Sequence, residues 1–354
     1  MISDIRLQQF RSYQDDSFEF SPSVNIIVGP NASGKTNLLE ALLVIARGSS
    51  YRAKDTDLVT FDAPWARLDA HTATGLRTVK LVIEPPATKS YELDEKSYKR
   101  LSLQHSLPVV IFEPNHLLLL HGSPDQRRAY LDDLLEQIKP NYGPQLRHYR
   151  RTLAQRNALL KRAHRPTNEE LFPWNLRLSE LGAVIARNRA ELVAAINEKI
   201  SSSYKNISHT QTETEVRYIS KFGLESYEST MLHKLETDLT TDIFRGFTAV
   251  GPHREDFAVL FDGRLAAETA SRGEVRTLVL GLKAIELEIL HEARDMKPIL
   301  LLDDVFSELD GARRRALTEH LASYQTFITT TDADIVLKDF ASASTIIPIQ
   351  KSSD

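Results

Sequence analysis

The eight residues Gly29-Pro30-Asn31-Ala32-Ser33-Gly34-Lys35-Thr36 restrict what this chain can fold into more than any other stretch of it. They fit G-x-x-x-x-G-K-[ST] at every fixed position. Before them lies a β-rich apolar run, Val24-Asn25-Ile26-Ile27-Val28. After them, Lys35 to Arg47 puts Leu38, Leu42 and Ile45 on one helical face, with Gly48 as a stop. A buried strand, a glycine loop and a helix in that order form a cradle for phosphate. The glycines let successive backbone N–H groups converge on an anion, and the helix adds the positive end of its dipole. Lys35 can then reach β- and γ-phosphates, and the Thr36 hydroxyl is placed to ligate Mg2+. Gly29 through Asn37 are the candidate nucleotide-binding residues. A fortuitous glycine turn is the alternative, but the four fixed positions arise by chance in about one chain in a hundred of this length.

Pro298-Ile299-Leu300-Leu301-Leu302-Asp303-Asp304 is an apolar run ending on two carboxylates. Such a run suits a strand buried on both faces of a parallel sheet, and its carboxyl end is where α/β folds bind ligands. Adjacent acids repel and are costly to bury, a strain that a bound Mg2+ relieves. The natural division has Asp303 holding the metal, through water, and Asp304 orienting or deprotonating the attacking water. A solvated strand-to-helix turn is the bland alternative, and it loses ground once a phosphate loop is present in the same chain.

Three further segments are weak alone. Ser271-Arg272-Gly273-Glu274 opens a helical segment, 274–292, and reads either as a second anion site or as an N-cap serine with its capping acid. Ser307-Glu308-Leu309-Asp310 follows the acidic strand, as a nucleotide contact through Asp310 or as a polar turn. Thr329-Thr330-Thr331-Asp332 ends a later strand, where the Thr331 hydroxyl could touch a γ-phosphate or water, or serve as ordinary strand-end chemistry.

The rest of the chain frames these segments. Its 354 residues are 42% hydrophobic and 26% charged, ordinary for a globular protein and long enough for one to three domains. Without cysteine there are no disulfides or thiolate metal sites. The opening Met1-Ile2-Ser3-Asp4-Ile5 has no signal-peptide character, and the richest apolar run, Leu38 to Ala46, is short and carries Glu40. A cytoplasmic protein with no membrane partner is the expectation. Strand patterns occur at Ile5–Leu7, where the alternation lapses at Gln9-Phe10, at Phe18–Phe20, and at 65–70, 78–83 and 109–112. From about Pro124 to Ile207 the character turns to long helices, with a stripe of Leu178, Leu181, Ile185, Leu192, Ile196 and Ile200 that packs on neighbours. Strands return at 216–219, 257–261, 299–302, 327–330 and 346–349. This order predicts an α/β fold whose two ends make one sheet around an inserted, mainly helical middle. The expected division is 1–112, 113–295 and 296–354.

A net charge of −4 means that any nucleic-acid contact must come from local patches. Between Lys139 and Arg165 there is no acidic residue. On a continuous helix Arg147, Arg151, Arg162 and Arg165 would fall near one face, and Arg147, Arg150, Arg151, Lys161 and Arg162 are the candidate DNA contacts. Arg127-Arg128 and Arg313-Arg314-Arg315 are lesser candidates. A solvated helix face explains the run nearly as well.

Taken in order, these segments resemble the ABC-type ATPase heads of the SMC-like group: Walker A at Gly29–Thr36, signature at Ser271–Glu274, Walker B at Ile299–Asp304, D-loop at Ser307–Asp310 and switch at Thr329–Asp332. The resemblance narrows to the RecF family of recombination mediators through Gly34–Ala41, Gly122-Ser123-Pro124 with Arg127-Arg128 and Leu131-Asp132, Val250–Asp256, Ser271–Thr277 and Leu302–Asp310. It covers nearly the whole chain. Glu255 stands where the family usually has aspartate, and Val275 where glutamine is common. The resemblance implies a P-loop ABC-type head that binds ATP and Mg2+ and dimerises head-to-tail with ATP, the signature Ser271, Arg272, Gly273 and Glu274 of one copy completing the γ-phosphate site of the other. It further implies a weak DNA-dependent ATPase, an ATP-gated clamp on single-stranded, double-stranded or gapped DNA. With RecR and RecO such proteins help place RecA at gaps, in recombinational repair, replication restart and SOS induction. A transporter-associated ATPase is opposed by the helical insertion and by Thr331, where transporters usually carry histidine. A P-loop kinase has no use for a signature or D-loop.

Overall fold

The apolar runs at the two ends of the chain do form neighbouring strands. The computed structural model describes residues 1–162, 164–306, 309–321, 323–332 and 344–350. In chain order its elements are β1 (Ile2–Phe10), β2 (Tyr13–Glu19), β3 (Val24–Val28), α1 (Lys35–Arg47), β4 (Trp65–Thr72), β5 (Gly75–Val82), β6 (Thr88–Leu93), β7 (Lys96–Tyr98) and β8 (Val109–Phe112). Then come α2 (Pro124–Ile138), α3 (Tyr142–Leu160), α4 (Asn168–Ser208), β9 (Thr214–Ile219), α5 (Tyr227–Thr237), α6 (Leu239–Arg245), β10 (Asp256–Phe261), β11 (Arg264–Leu265), α7 (Ala266–Thr269) and α8 (Arg272–Arg294). The chain closes with β12 (Ile299–Asp303), α9 (Gly311–Leu321), β13 (Thr326–Thr330) and β14 (Ser344–Pro348). These elements group into two compact units, Met1–Leu117 with Glu286–Asp354, and Leu118–Ile285.

In the first unit, β14-β3-β13-β12-β8 is a parallel sheet, so strands from both ends of the sequence interleave. β8, β12 and β13 are buried along nearly their whole length, as parallel strands covered on both faces must be. An antiparallel sheet, β2-β1-β4-β5-β6-β7, completes the unit. Helix α1 touches strands of both sheets, and ten of its thirteen residues are buried, including the whole run from Leu38 to Ala46. Its apolar surface therefore extends all round rather than along one stripe, which is the pattern of a fully enclosed helix. The lapse at Gln9-Phe10 has a local cause: Gln9 takes φ 50°, which breaks the two-residue alternation of β1 and lets Phe10 be buried completely. β6 and β7, not expected from the sequence, are largely exposed and polar.

The second unit is built on α4. Capping boxes start both α2, through Ser123 and Gln126, and α4, through Thr167 and Glu170. The stripe from Leu178 to Ile200 is buried, and α4 packs on α3, α5 and β9, with β11-β10-β9 as a small antiparallel sheet. One expectation fails here. Helix α3 ends at Leu160, so Arg162 and Arg165 are not on a helix with Arg147 and Arg151. The chain has to leave α3 in time for Thr167 to cap α4, and Pro166 disfavours a helical residue before it. Among the described residues, no helix is long and apolar enough to cross a membrane.

Candidate functional site

The loop from Gly29 to Thr36 joins β3 to α1 at the carboxyl edge of the parallel sheet. Gly34 sits at φ +103° as the N-cap of α1, and a Cβ there would come within 3.0 Å of both Ser12 Oγ and Tyr13 Oη. A Cβ on Gly29 would collide with the Ile349 carbonyl oxygen, so the residue that follows β14 leaves room only for glycine at the loop's start. Ala32 also takes a left-handed conformation, φ 63°. Tyr13 Oη donates to the Gly34 carbonyl at 2.9 Å, which steadies the loop from β2.

The side chains in the loop are set for an anion. Lys35, 8% exposed, donates its ammonium to the carbonyls of Gly29 (2.8 Å) and Pro30 (2.9 Å), which holds it across the loop. Among the described residues no side chain caps the N-terminus of α1, and its first turn carries no acid. Ser33 Oγ is buried without a hydrogen-bond partner among the described residues. A buried hydroxyl and a set of first-turn N–H groups without a cap are what a polyphosphate would satisfy.

Asp303 lies at the end of β12, beside β13. Its Oδ1 accepts from Thr36 Oγ1 at 2.9 Å and from Thr329 Oγ1 at 2.8 Å, so the acidic strand is tied to the phosphate loop by one carboxylate oxygen. Asp304 follows at φ 53°, and its N–H donates to Thr329 Oγ1 at 2.9 Å. A non-glycine residue in this conformation, held by a hydrogen bond from the next strand, is a strained position over-determined by its surroundings. Thr331 is exposed just beyond β13, whereas Thr329 is the threonine that touches Asp303. Among the described residues no cluster of three or more histidines or acids could cage a metal. Thr36 and Asp303 fit Mg2+, which keeps waters and phosphate oxygens alongside one or two protein ligands.

Sequence reasoning missed the support around α1. Glu40 is fully buried and receives Arg11 (2.8 and 3.0 Å), Arg52 (3.0 Å) and Ser50 (2.6 Å). Burial pushes Glu40 up, but the hydrogen bonds from Arg11, Arg52 and Ser50 outweigh it and hold its carboxyl below the usual range. Arg52 also donates to Asn37 Oδ1, and Asn37 donates to Ser12 Oγ. An open cleft of about 900 Å³ adjoins this network, lined by Arg11, Ser12, Asn37, Asp57 and the almost wholly exposed Phe61 among others. A single acid inside an apolar helix was the available signal.

The remaining candidates lie apart in the sequence. Ser271 and Glu274 form a capping box at the start of α8: Ser271 Oγ donates to Glu274 Oε2 at 2.7 Å, and Glu274 N–H donates to Ser271 Oγ at 3.3 Å. Arg272 is exposed and Gly273 partly so. Asp310 caps α9 by accepting from Arg313 N–H at 3.0 Å and pairs with the Arg313 guanidinium, while Ser307 and Glu308 lie outside the described residues. Arg147, Arg151, Lys161 and Arg162 are exposed, and Arg150 reaches Asp132 at 3.2 Å. Arg156, from the same basic run, is fully buried against Asn175, Asp242 and Thr248. Arg127 is bound to Asp256, and Arg128 to Asp125 and the Glu255 carbonyl.

A glycine loop tied through Asp303 to the central strand of a parallel sheet defines the class, an ATPase head of the SMC and ABC kind. The family profile described as "RecF/RecN/SMC N terminal domain" matches residues 1–352. An Smc head bound to the C-winged helix domain of ScpA is 17% identical with a TM-score of 0.54, covering 98% of this chain and 93% of that one, a likeness of fold alone. The chain belongs to the RecF family of DNA replication and repair proteins. It is 34% identical to the protein of that name from Acetivibrio thermocellus, over 94% of each chain. It is 37% identical to that of Heliobacterium modesticaldum, over 93% of this chain and 92% of the relative. A solved structure described as the recombination mediator protein RecF-ATP in the RecFOR pathway has a TM-score of 0.83 at 32% identity, covering 94% and 92%.

Proposed function

We propose that this chain is an ATP-dependent DNA-binding head that acts with RecR- and RecO-type mediators to load RecA at single-strand gaps. The observation that carries the nucleotide half is the single Asp303 oxygen shared by Thr36 and Thr329, at the mouth of a loop whose serine hydroxyl is buried without a partner among the described residues. The triphosphate lies along Gly29–Asn37, with Lys35 leaving the loop carbonyls for the β- and γ-phosphates. Thr36 and Asp303 hold Mg2+, which supplies positive charge to the phosphoryl oxygens when bound. Asp304 orients the attacking water and accepts its proton, and Thr331, which follows the strand paired with β12, contacts the same water. The cleft beside Asn37 receives the nucleoside.

In this reading Ser271 of a second copy, with Arg272, Gly273 and Glu274, completes the γ-phosphate site, and Asp310 contributes from the D-loop. The phosphate displaces Glu274 from the Ser271 hydroxyl, so association is coupled to opening a capping box. ATP then binds the dimer in preference to the monomer, and hydrolysis releases it. We assign residues 1–112 and 296–354 to the ATPase lobe, in two segments, and 113–295 to a helical lobe that carries the signature. DNA phosphates meet Arg147, Arg150, Arg151, Lys161 and Arg162, with Arg150 exchanging Asp132 for a phosphate. Support for the DNA half is the family's own name together with these exposed cations.

The test is phosphate release with and without gapped DNA, on the wild type and on Asp304→Asn. Slow release that DNA accelerates, and that Asp304→Asn abolishes while nucleotide still binds, is expected. Release indifferent to DNA and to Asp304 contradicts the proposal.

A further inference from the structure

The turn after α6 exposes two aromatic rings among cations. Phe244, in the last turn of α6, is 92% exposed, and Phe247, one residue past the left-handed Gly246, is 37% exposed. Single exposed apolar side chains are common and need no explanation. Here a second ring follows within three residues, and the Arg254 guanidinium rests over it, 4.7 Å from the ring centre. Arg245, Arg254, Lys161 and Arg162 are all exposed. Lys161 reaches the turn because α3 ends there, and a Cβ on Gly246 would lie 3.5 Å from its Cγ.

The platform under these groups is rigid. Arg156 is fully buried and donates to Asp242 (2.7 Å) and Thr248 (2.8 Å), residues on either side of the turn. Asn157 Oδ1 accepts from both the N–H and the hydroxyl of Thr248 at 2.8 Å, and Ala249 N–H donates to Asp242 Oδ1. Asp242 is thus buried and neutralised by Arg156, and the exposed Asp125, within electrostatic reach of Arg254, is paired with Arg128, which leaves Lys161, Arg162 and Arg245 as the turn's outward charges.

We infer that this turn is a binding platform for unpaired DNA, on which Phe244 and Phe247 stack bases while Lys161, Arg162, Arg245 and Arg254 meet the phosphates. The inference rests on the DNA-binding reading above and deepens it. Aromatic rings interleaved with cations suit a single strand, because every base has a π face and a flexible backbone can follow the charge. A duplex hides those faces within its stack, so it can use the cations only.

The experiment titrates the full chain, with ATP present, against an oligothymidylate and a blunt, hairpin-closed duplex. Replacing both rings, by Phe244→Ala with Phe247→Ala, weakens binding of the single strand by about ten-fold or more and binding of the duplex by less than about two-fold. Phe244→Trp binds the single strand as tightly as the wild type, and its emission is quenched on binding. Lys161→Ala with Arg162→Ala weakens both ligands and flattens the salt dependence. Unchanged single-strand affinity in the double Phe variant, or equal loss for both ligands, overturns the platform. A wild type that binds neither ligand at low salt overturns the DNA reading itself.

Discussion

The two compact units solve the problem of placing charge in opposite ways. Around the phosphate loop the cation is placed by residues close in sequence, while the acid Asp303 comes from the far end of the chain: Lys35 bonds to carbonyls five and six residues back, and the backbone of Gly29 and Gly34 sets the curve. In the unit of Leu118–Ile285, buried charges find partners far away. Arg156 meets Asp242, Arg189 meets Asp132 at 2.9 Å, and buried Glu255 accepts from Tyr218, Ser220 and Tyr227. The first arrangement suits a ligand, with the Ser33 hydroxyl buried and unpartnered among the described residues. The second is closed on itself and holds helices in place.

That contrast predicts where mutations act. The largest effect belongs to the closed network. Arg156→Ala leaves Asp242 buried and unpaired and costs about 3–5 kcal/mol of stability. Chemical denaturation measures it, and a loss below about 1 kcal/mol would mean that the network is not structural.

Next comes the loop. Lys35→Ala lowers the rate of hydrolysis by about a hundred-fold or more, as expected for loss of a charge aimed at the transferring phosphoryl group. Its melting temperature stays near that of the wild type. A variant that unfolds instead would erase the distinction between the two units.

A smaller effect is carried by pH. His253 is largely buried, with Nδ1 on Tyr149 Oη at 2.7 Å and Nε2 on the Thr248 carbonyl. Burial, with the charges of Arg254, Arg128 and Arg189 nearby, lowers it from 6.5 to about 4. The unfolded chain therefore takes up the proton first as pH falls. Stability is intact above the unfolded value and is lost as pH drops from about 6.5 toward 4, by about 2 kcal/mol after allowing for partial exposure. His253→Asn should flatten that part of the profile, and an unchanged slope would exclude this histidine as its source. The smallest effect is at the surface, where Asp15→Asn removes the exposed Arg6 pair and should leave the denaturation midpoint where it is in the wild type.

The same contrast explains what was legible in the sequence. The loop, α1, β3, β8 and β12 were readable because glycine spacing and unbroken apolar runs are local signals. The interleaving of strands from both ends was readable from the order of strands and helices. β6, β7, α5 and α6 were not, because their half-exposed sequences carry little periodicity. The role of Arg156 was hidden for another reason: nothing near it announces Asp242 and Asn175 as partners, so it looked like one more cation in a basic run. Likewise the sequence around Glu40 shows only an acid that keeps an apolar run from spanning a membrane, because its partners Arg11 and Arg52 lie outside the helix.

Sedimentation velocity tests most directly whether one nucleotide is held by two chains. With hydrolysis blocked by Asp304→Asn, ATP should convert a monomer into a dimer, and adding Ser271→Arg should leave a monomer that still binds ATP. A Ser271→Arg protein that dimerises normally, or an ATP-loaded Asp304→Asn protein that stays monomeric at every concentration, contradicts the account.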